Sequence, residues 1–153
     1  MRRLWSPAEN PPRREFVDAV DDLAELEPCF SVRLAASLAM VWIGGTGIGY
    51  VLNEPGGITG RAVVLAPGIA PARVLMAHAL CDLDGLAASP EWRALFRRCR
   101  PLLGDAPRAD CAQEWWARSF ALQAAGRIEA VLGDREVAET VAAYHRRVVD
   151  SYP

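Results

Sequence analysis

The uncharged run from Leu34 to Leu52 limits the folds open to the chain more than any other feature. A run of 19 residues is close to the length of a membrane-spanning helix. Its second half is rich in glycine, and such helices are poor spans unless they pack on neighbours. We therefore predict a buried helix over 29–42, then a glycine-rich loop, and keep a membrane-associated segment as the alternative.

Composition favours one globular domain. The chain has 153 residues, of which 52% are hydrophobic and 24% charged, and this is enough for a single core. Its net charge of −2 gives no general attraction to a phosphate backbone, so we predict no nucleic-acid partner. The four cysteines include no Cys-x-x-Cys pair and do not resemble a disulfide scaffold, which favours a reducing, cytoplasmic setting.

Proline, glycine and short apolar runs divide the chain into an arm and a domain. Residues 1–12 are rich in proline and predict an extended N-terminal arm. Residues 13–153 are predicted as a single domain that begins with a helix and ends or kinks it at Pro28. Strand-like runs at 48–52 and 61–66 flank a Pro-Gly turn. We predict an α+β fold class, mostly helical, with a small two- or three-strand sheet.

Helix signals fill the second half of the chain. Pro71 opens a helix that reaches Gly85, and Ser89-Pro90 gives the next helix an N-cap and a proline at its first position. Further helices are predicted at 110–126, which ends on a glycine C-cap, and at 135–150. The last helix carries an apolar stripe of Val137, Val141, Tyr144 and Val148.

Candidate metal-binding residues lie in the helix that begins at Pro71. His78 and Asp82 are four residues apart, so on a helix they share a face and could bind one ion. Metalloprotease helices use this spacing, with a glutamate after the first ligand as general base. Ala79 stands at that position, and alanine cannot accept a proton. A core histidine is the alternative for the first residue, and His145 is predicted as a surface histidine.

A second charged pair, Glu114 and Arg118, has the same helical spacing further along the chain. Glu114 lies where a carboxylate from a separate helix would supply a third ligand. The order of glycine-rich loop, strands, histidine helix and glutamate helix resembles the zincin-like metallopeptidases, the family of anthrax lethal factor and of small bacterial and phage zincins. The likeness covers roughly 44–122. It rests on 77–85, Ala-His-Ala-Leu-Cys-Asp-Leu-Asp-Gly, and on 114–121, Glu-Trp-Trp-Ala-Arg-Ser-Phe-Ala.

The resemblance implies a zincin-like fold with His78 and Glu114 at the first and third ligand positions. Three positions differ from the family pattern: Asp82 stands at the second ligand, Ala79 at the general base and Arg118 at a second helix glutamate. A carboxylate oxygen does bind zinc, and it suits Mg²⁺ or Mn²⁺ at least as well. A guanidinium can instead neutralise both carboxylates, so Arg118 is predicted to pair with Asp82 and Glu114 in the cleft.

Two function classes follow from these residues. The favoured one is a degenerate zincin-like protein that is proteolytically inactive, holds no cofactor and acts as a binding or structural module for a protein partner. The alternative is a metal-dependent hydrolase that binds zinc or another divalent metal through His78, Asp82 and Glu114 and takes its base from elsewhere. A membrane-associated protein that uses 34–52 is the weaker third class. The resemblance also permits a place in a phage particle or a secreted toxin complex.

Overall fold

The computed structural model describes the backbone of residues 38–43, 48–54, 57–63, 71–105 and 111–151, and side chains from residue 73 onward. The strands are β1 (Leu38–Ile43), β2 (Ile48–Glu54) and β3 (Gly57–Val63). The helices are α1 (Pro71–Asp84), α2 (Pro90–Cys99), α3 (Ala112–Ala124), α4 (Ile128–Leu132) and α5 (Arg135–Asp150). Short 3-10 turns, Leu86–Ala88 and Arg100–Leu102, flank α2. The predicted arm 1–12 and the helix after it lie outside the described residues.

The three strands form an antiparallel meander in the order β1-β2-β3. Ile48 pairs with Ile43 on one side and with Val63 on the other, so β2 is the central strand. At the other end of β2, Glu54 pairs with Gly57, which leaves two residues for the connection. The register of β1 shifts by one residue between Leu38 and Met40, as at a β-bulge.

The predicted helix over 29–42 is wrong at its C-terminal end, because Leu38–Ile43 is a strand. Three of its residues, Val41 to Ile43, are β-branched or aromatic and pack well on a pleated surface. Short apolar runs cannot be assigned to helix or strand by periodicity alone. The strand predicted at 61–66 begins earlier, at Gly57. Of the helices that the structure describes, none is long and apolar enough to cross a bilayer.

Residues 73–150 correct the predicted fold class. Within its described residues this part consists of helices and 3-10 turns and contains no strand, so it is an all-α body and not a zincin-like α+β domain. The physical reason is that its apolar residues recur with the helical period, with prolines and glycines only at helix ends. The meander precedes this body in the chain and contacts it through α1.

Helix α1 lies at the centre of the helical body. Every residue from Val74 to Cys81 is buried, which is the pattern of a helix surrounded by protein on all sides. Its main helical neighbour is α3, and α2 and α5 pack against α3 in turn. On α3, the rings of Trp116 and Phe120 stack with centroids 5.4 Å apart. The α1–α3 interface therefore decides which polar side chains meet in the interior.

The helix boundaries predicted from sequence are confirmed in this body. Ser89 caps α2, since its Oγ accepts a hydrogen bond of 3.1 Å from the backbone N–H of Trp92. Gly85 and Gly126 follow α1 and α3 with φ of 60° and 68°, the left-handed conformation in which glycine has no Cβ penalty. The helix predicted at 135–150 has those bounds in the structure.

Replacing Asp134 by Ala should lower the free energy of unfolding by about 1 kcal/mol. The Asp134 carboxylate caps α5 by accepting a 3.0 Å hydrogen bond from the backbone N–H of Val137, which would otherwise lack a partner. Asp134→Asn is the matched control, because asparagine caps nearly as well. Urea unfolding of both variants checks this, and equal losses would mean that the cap is not the stabilising feature.

Candidate functional site

Two of the predicted site residues, His78 on α1 and Glu114 on α3, meet in the interior. The imidazole Nε2 lies 3.1 Å from the Glu114 Oε2. His78 is 1% exposed and Glu114 8%. The imidazole and the carboxylate are within ion-pair distance but are not aligned as a hydrogen bond, and neither ring nitrogen has a hydrogen-bond partner among the described residues. The contact is therefore not a hydrogen bond, and it is an ion pair only when the imidazole is protonated.

Small buried side chains lie near His78 and Glu114 in the sequences of α1 and α3. Ala77 and Ala79 flank His78 on α1, and Ala117 and Ala121 lie on α3. All four alanines are buried. Helix separation depends on the side chains at the contact, and small buried side chains permit a close approach of two helices. Ala79, at the position of a zincin base, is thus a packing residue with no proton to transfer.

Asp82 does not join this contact. It is half-buried near the end of α1, where its Oδ1 accepts a hydrogen bond from the side-chain amide of Gln113. Across the described parts of the chain, no three histidine, cysteine, aspartate or glutamate side chains lie together as a metal site would require. The structure therefore brings together His78 and Glu114 but not the full predicted set of His78, Asp82 and Glu114.

Arg118 lies one turn after Glu114 on α3 and is half-buried. It makes no ion pair with Glu114 or Asp82: Glu114 meets His78, and Asp82 meets Gln113. The Nε of Arg118 is buried without a hydrogen-bond partner in the described structure. The predicted cleft, with a guanidinium between two carboxylates, is thus not formed. One carboxylate contacts an imidazole and the other an amide.

The prediction that His145 lies at the surface is wrong. It is 0% exposed, and four aromatic rings lie within 5.5 Å of its own ring, measured between centroids. The signal for burial was in the sequence: His145 follows Val141 by four residues and extends the apolar stripe of α5. The surrounding rings belong to Trp92, Trp116, Phe120 and Tyr144.

Hydrogen bonds bear on the tautomer of His145, and burial sets its charge state. The Ser119 Oγ donates to the backbone carbonyl of Trp116 at 3.0 Å and lies 2.8 Å from the His145 Nε2. A hydroxyl has one proton to donate, so when Ser119 donates it to the Trp116 carbonyl, the imidazole Nε2–H donates to the Ser119 Oγ. The Nδ1 is then an acceptor, buried without a partner among the described residues. Burial lowers the pKa of His145 to about 3, and the ring is neutral.

The Ser119–His145 pair has the atoms of a nucleophile and its base but not their setting. Both residues are 0% exposed. A catalytic serine must reach a carbonyl carbon of a substrate, and this hydroxyl is already committed to a backbone carbonyl. The pair therefore belongs to the core that joins α3 to α5.

Comparisons with known proteins gave no match, whether with protein-family models, with curated proteins or with solved structures. The likeness to zincins consequently rests on 77–85 and 114–121 alone.

Proposed function

We propose that this protein is a proteolytically inactive binding or structural module in which the zincin-like positions join two helices. The observation that carries the proposal is the contact of 3.1 Å between the His78 Nε2 and the Glu114 Oε2 inside a buried interface. A catalytic zinc site keeps an open position for water and substrate. Here the two groups face each other between packed helices, which suits a structural role.

The other zincin-like positions support the same proposal. A general base contributes about 10²–10⁴-fold to such a reaction, and Ala79 supplies none. Asp82, at the second ligand position, accepts a hydrogen bond from Gln113. The partner of the module is proposed to be a protein, because the net charge of −2 gives no attraction to nucleic acid.

One observation favours the alternative, a metal-dependent hydrolase. Two ligands of a tetrahedral zinc ion, each about 2.0–2.1 Å from the metal, lie about 3.3 Å apart. The 3.1 Å between the His78 and Glu114 atoms is close to that separation. The fit ends there, since Asp82 is bonded to Gln113 and no described third ligand completes the set. The residues present therefore match two ligands of a zinc site and not the three that catalysis uses.

Metal analysis of the purified chain separates the two functions. Elemental mass spectrometry on protein prepared without chelator should find far less than one metal ion per chain, in the native protein and in His78→Ala alike. Asp84→Asn, an exposed change on the same helix, is the matched control. A library of fluorogenic peptides should remain uncut with added Zn²⁺ or Mn²⁺. About one ion per chain, lost in His78→Ala and retained in Asp84→Asn, together with peptide cleavage, would establish the hydrolase instead.

A further inference from the structure

One flank of α2 is joined to α5 by ion pairs. The Glu91 carboxylate pairs with Arg147, and Arg98 pairs with Glu136, with 3.1 Å between the Arg98 and Glu136 atoms. The charges on this flank of α2 therefore have counterparts on a neighbouring helix of the same chain.

The other flank of α2 carries a stripe of arginines, which we call the arginine flank. It consists of Arg93, Arg97 and Arg100, and Arg100 continues the helical backbone with φ of −48° and ψ of −47°. At 3.6 residues per turn, these three positions lie within about 60° of one another around the helix. All three side chains are exposed, and no ion pair between described residues includes any of them. Like charges one turn apart repel, so this flank favours an anionic partner.

An aromatic side chain lies beside these charges. Phe96 follows Arg93 by three residues, packs against the core and remains half-buried. Arg93, Phe96, Arg97 and Arg100 thus have the spacing i, i+3, i+4 and i+7 by which a helix presents one face to a protein partner. Aromatic residues and arginine are the types enriched in protein–protein interfaces. The arginine flank therefore offers charge and an apolar contact together.

We propose that the arginine flank binds an acidic helical segment of the protein partner, whose carboxylates are spaced one turn apart. The guanidinium groups extend over about 10 Å along the helix axis, the length that carboxylates at i, i+4 and i+7 of a second helix would cover. Each guanidinium can donate two parallel hydrogen bonds to one carboxylate. This inference rests on the proposed function as a binding module, and it names the chemistry of the partner.

The number of charges favours an acidic protein over a lipid surface or a nucleic acid. Segments that bind anionic lipids carry about 4–8 clustered basic residues. Strongly salt-dependent DNA binding uses about 6–10 phosphate contacts. The arginine flank has three basic residues on a chain whose net charge is −2, which falls short of both. A matched set of carboxylates needs no more than these three.

A designed peptide tests the proposal. The probe is a labelled, alanine-rich helical peptide with glutamates at i, i+4 and i+7 and a leucine at i+3. Fluorescence anisotropy with the full chain at about 50 mM salt should give a dissociation constant of about 1 mM or lower. Binding should weaken about tenfold or more at about 500 mM salt, because exposed charges are screened. The same peptide with glutamines in place of the glutamates should lose at least about as much affinity.

Two variants of equal net charge locate the binding surface. The test variant replaces the three residues of the arginine flank by glutamine and should bind the glutamate peptide about tenfold more weakly or worse. The matched control replaces three exposed arginines outside α2 and should bind within about twofold of the native chain. Its substitutions are Arg127→Gln, Arg135→Gln and Arg146→Gln. Because all the replaced side chains are exposed, both variants should keep the native circular dichroism.

The proposal is overturned if the glutamate peptide does not bind, or if both variants lose affinity equally, which would show a response to net charge alone. Tighter binding of a DNA duplex of about 20 base pairs, or of vesicles with about 30% phosphatidylserine, would assign the arginine flank to phosphate groups if the test variant abolished it. Self-association abolished by the test variant would assign it to a second copy of the chain. These measurements are independent of metal content and peptide cleavage, so failure here is distinguishable from failure of the proposed function.

Discussion

Acidification should destabilise this protein through His145, with stability falling as the pH drops from about 6.5 toward 3. Burial lowers the pKa of His145 to about 3, while the same side chain in the unfolded chain titrates near 6.5. Between these values the unfolded state binds a proton that the folded state does not, so protonation favours unfolding. The expected loss is about 1.4 kcal/mol per pH unit, and the contribution is fully present above pH 6.5.

The surroundings of His145 explain why no neighbouring group offsets this loss. Its ring contacts are Trp92, Trp116, Phe120 and Tyr144, and its hydrogen bond is to Ser119. None of these side chains can become negatively charged between pH 3 and 6.5, since even tyrosine ionises only near 10. The Nδ1 is buried without a partner among the described residues, so a proton on it would gain no compensating charge from these side chains.

The variant that isolates this effect is His145→Phe. Phenylalanine keeps an aromatic ring among the four others and cannot titrate, and the Ser119 hydroxyl keeps its bond to the Trp116 carbonyl. Urea unfolding from about pH 7.5 to 4 should show a steep loss of stability in the native chain and a shallower one in the variant. The chain has two histidines, and His78 is present in both proteins, so the difference between the two pH profiles reports on His145. Parallel pH profiles would contradict the assignment to His145.

Most helix ends of this fold could be predicted from the sequence, because local chemistry sets them. Ser89 with Pro90 begins α2, and glycines in the left-handed conformation follow α1, α3 and α4. These signals act within one turn of the chain, so they need no knowledge of the tertiary structure. The apolar stripe of α5 was equally readable, and its Val137, Val141 and Tyr144 are buried as predicted.

Structural features that depend on contacts between residues far apart in sequence were harder to predict from the sequence. Leu38–Ile43 is a strand because Ile48–Glu54 pairs with it across a glycine-rich segment, and nothing within the run itself decides between helix and strand. His145 was predicted at the surface because its neighbours in sequence are Tyr144 and two arginines. The spacing from Val141 indicated a buried face of α5, but three of the four rings that enclose His145 come from α2 and α3, and local sequence does not identify them.

Only part of the candidate site could be predicted from the sequence, because its contacts also depend on residues far apart in the chain. Helical spacing placed His78 and Asp82 on one side of α1, but Gln113, the residue that bonds Asp82, directly precedes Glu114 on another helix. Which carboxylate meets which partner depends on how α1 and α3 are aligned. The sequence analysis therefore named His78 and Glu114 as site residues, but it did not predict their direct contact, the partner of Asp82 or the position of Arg118.

Removal of both members of the His78–Glu114 contact should destabilise the protein by less than the sum of the two single removals. Removing one partner of a buried imidazole–carboxylate contact leaves the other in a dry interior, and for buried ion pairs this costs about 3–5 kcal/mol. Glu114 retains a second interaction and 11% side-chain exposure, so His78→Leu should cost about 3 kcal/mol, at the low end of that range. Glu114→Met should cost about 1–3 kcal/mol, because His78 would lose its only close polar contact among the described residues.

The double variant His78→Leu/Glu114→Met decides whether the contact has the structural role proposed for it. Two apolar side chains of similar volume can pack between α1 and α3, so its loss of stability should be at least 1 kcal/mol smaller than the sum of the single losses. Urea unfolding of the four proteins at neutral pH gives this coupling energy. Additive losses would show that the two groups do not stabilise each other. A zinc-dependent rise in Tm of the native chain, absent from all three variants, would instead identify the pair as metal ligands, because binding to the folded state raises its stability.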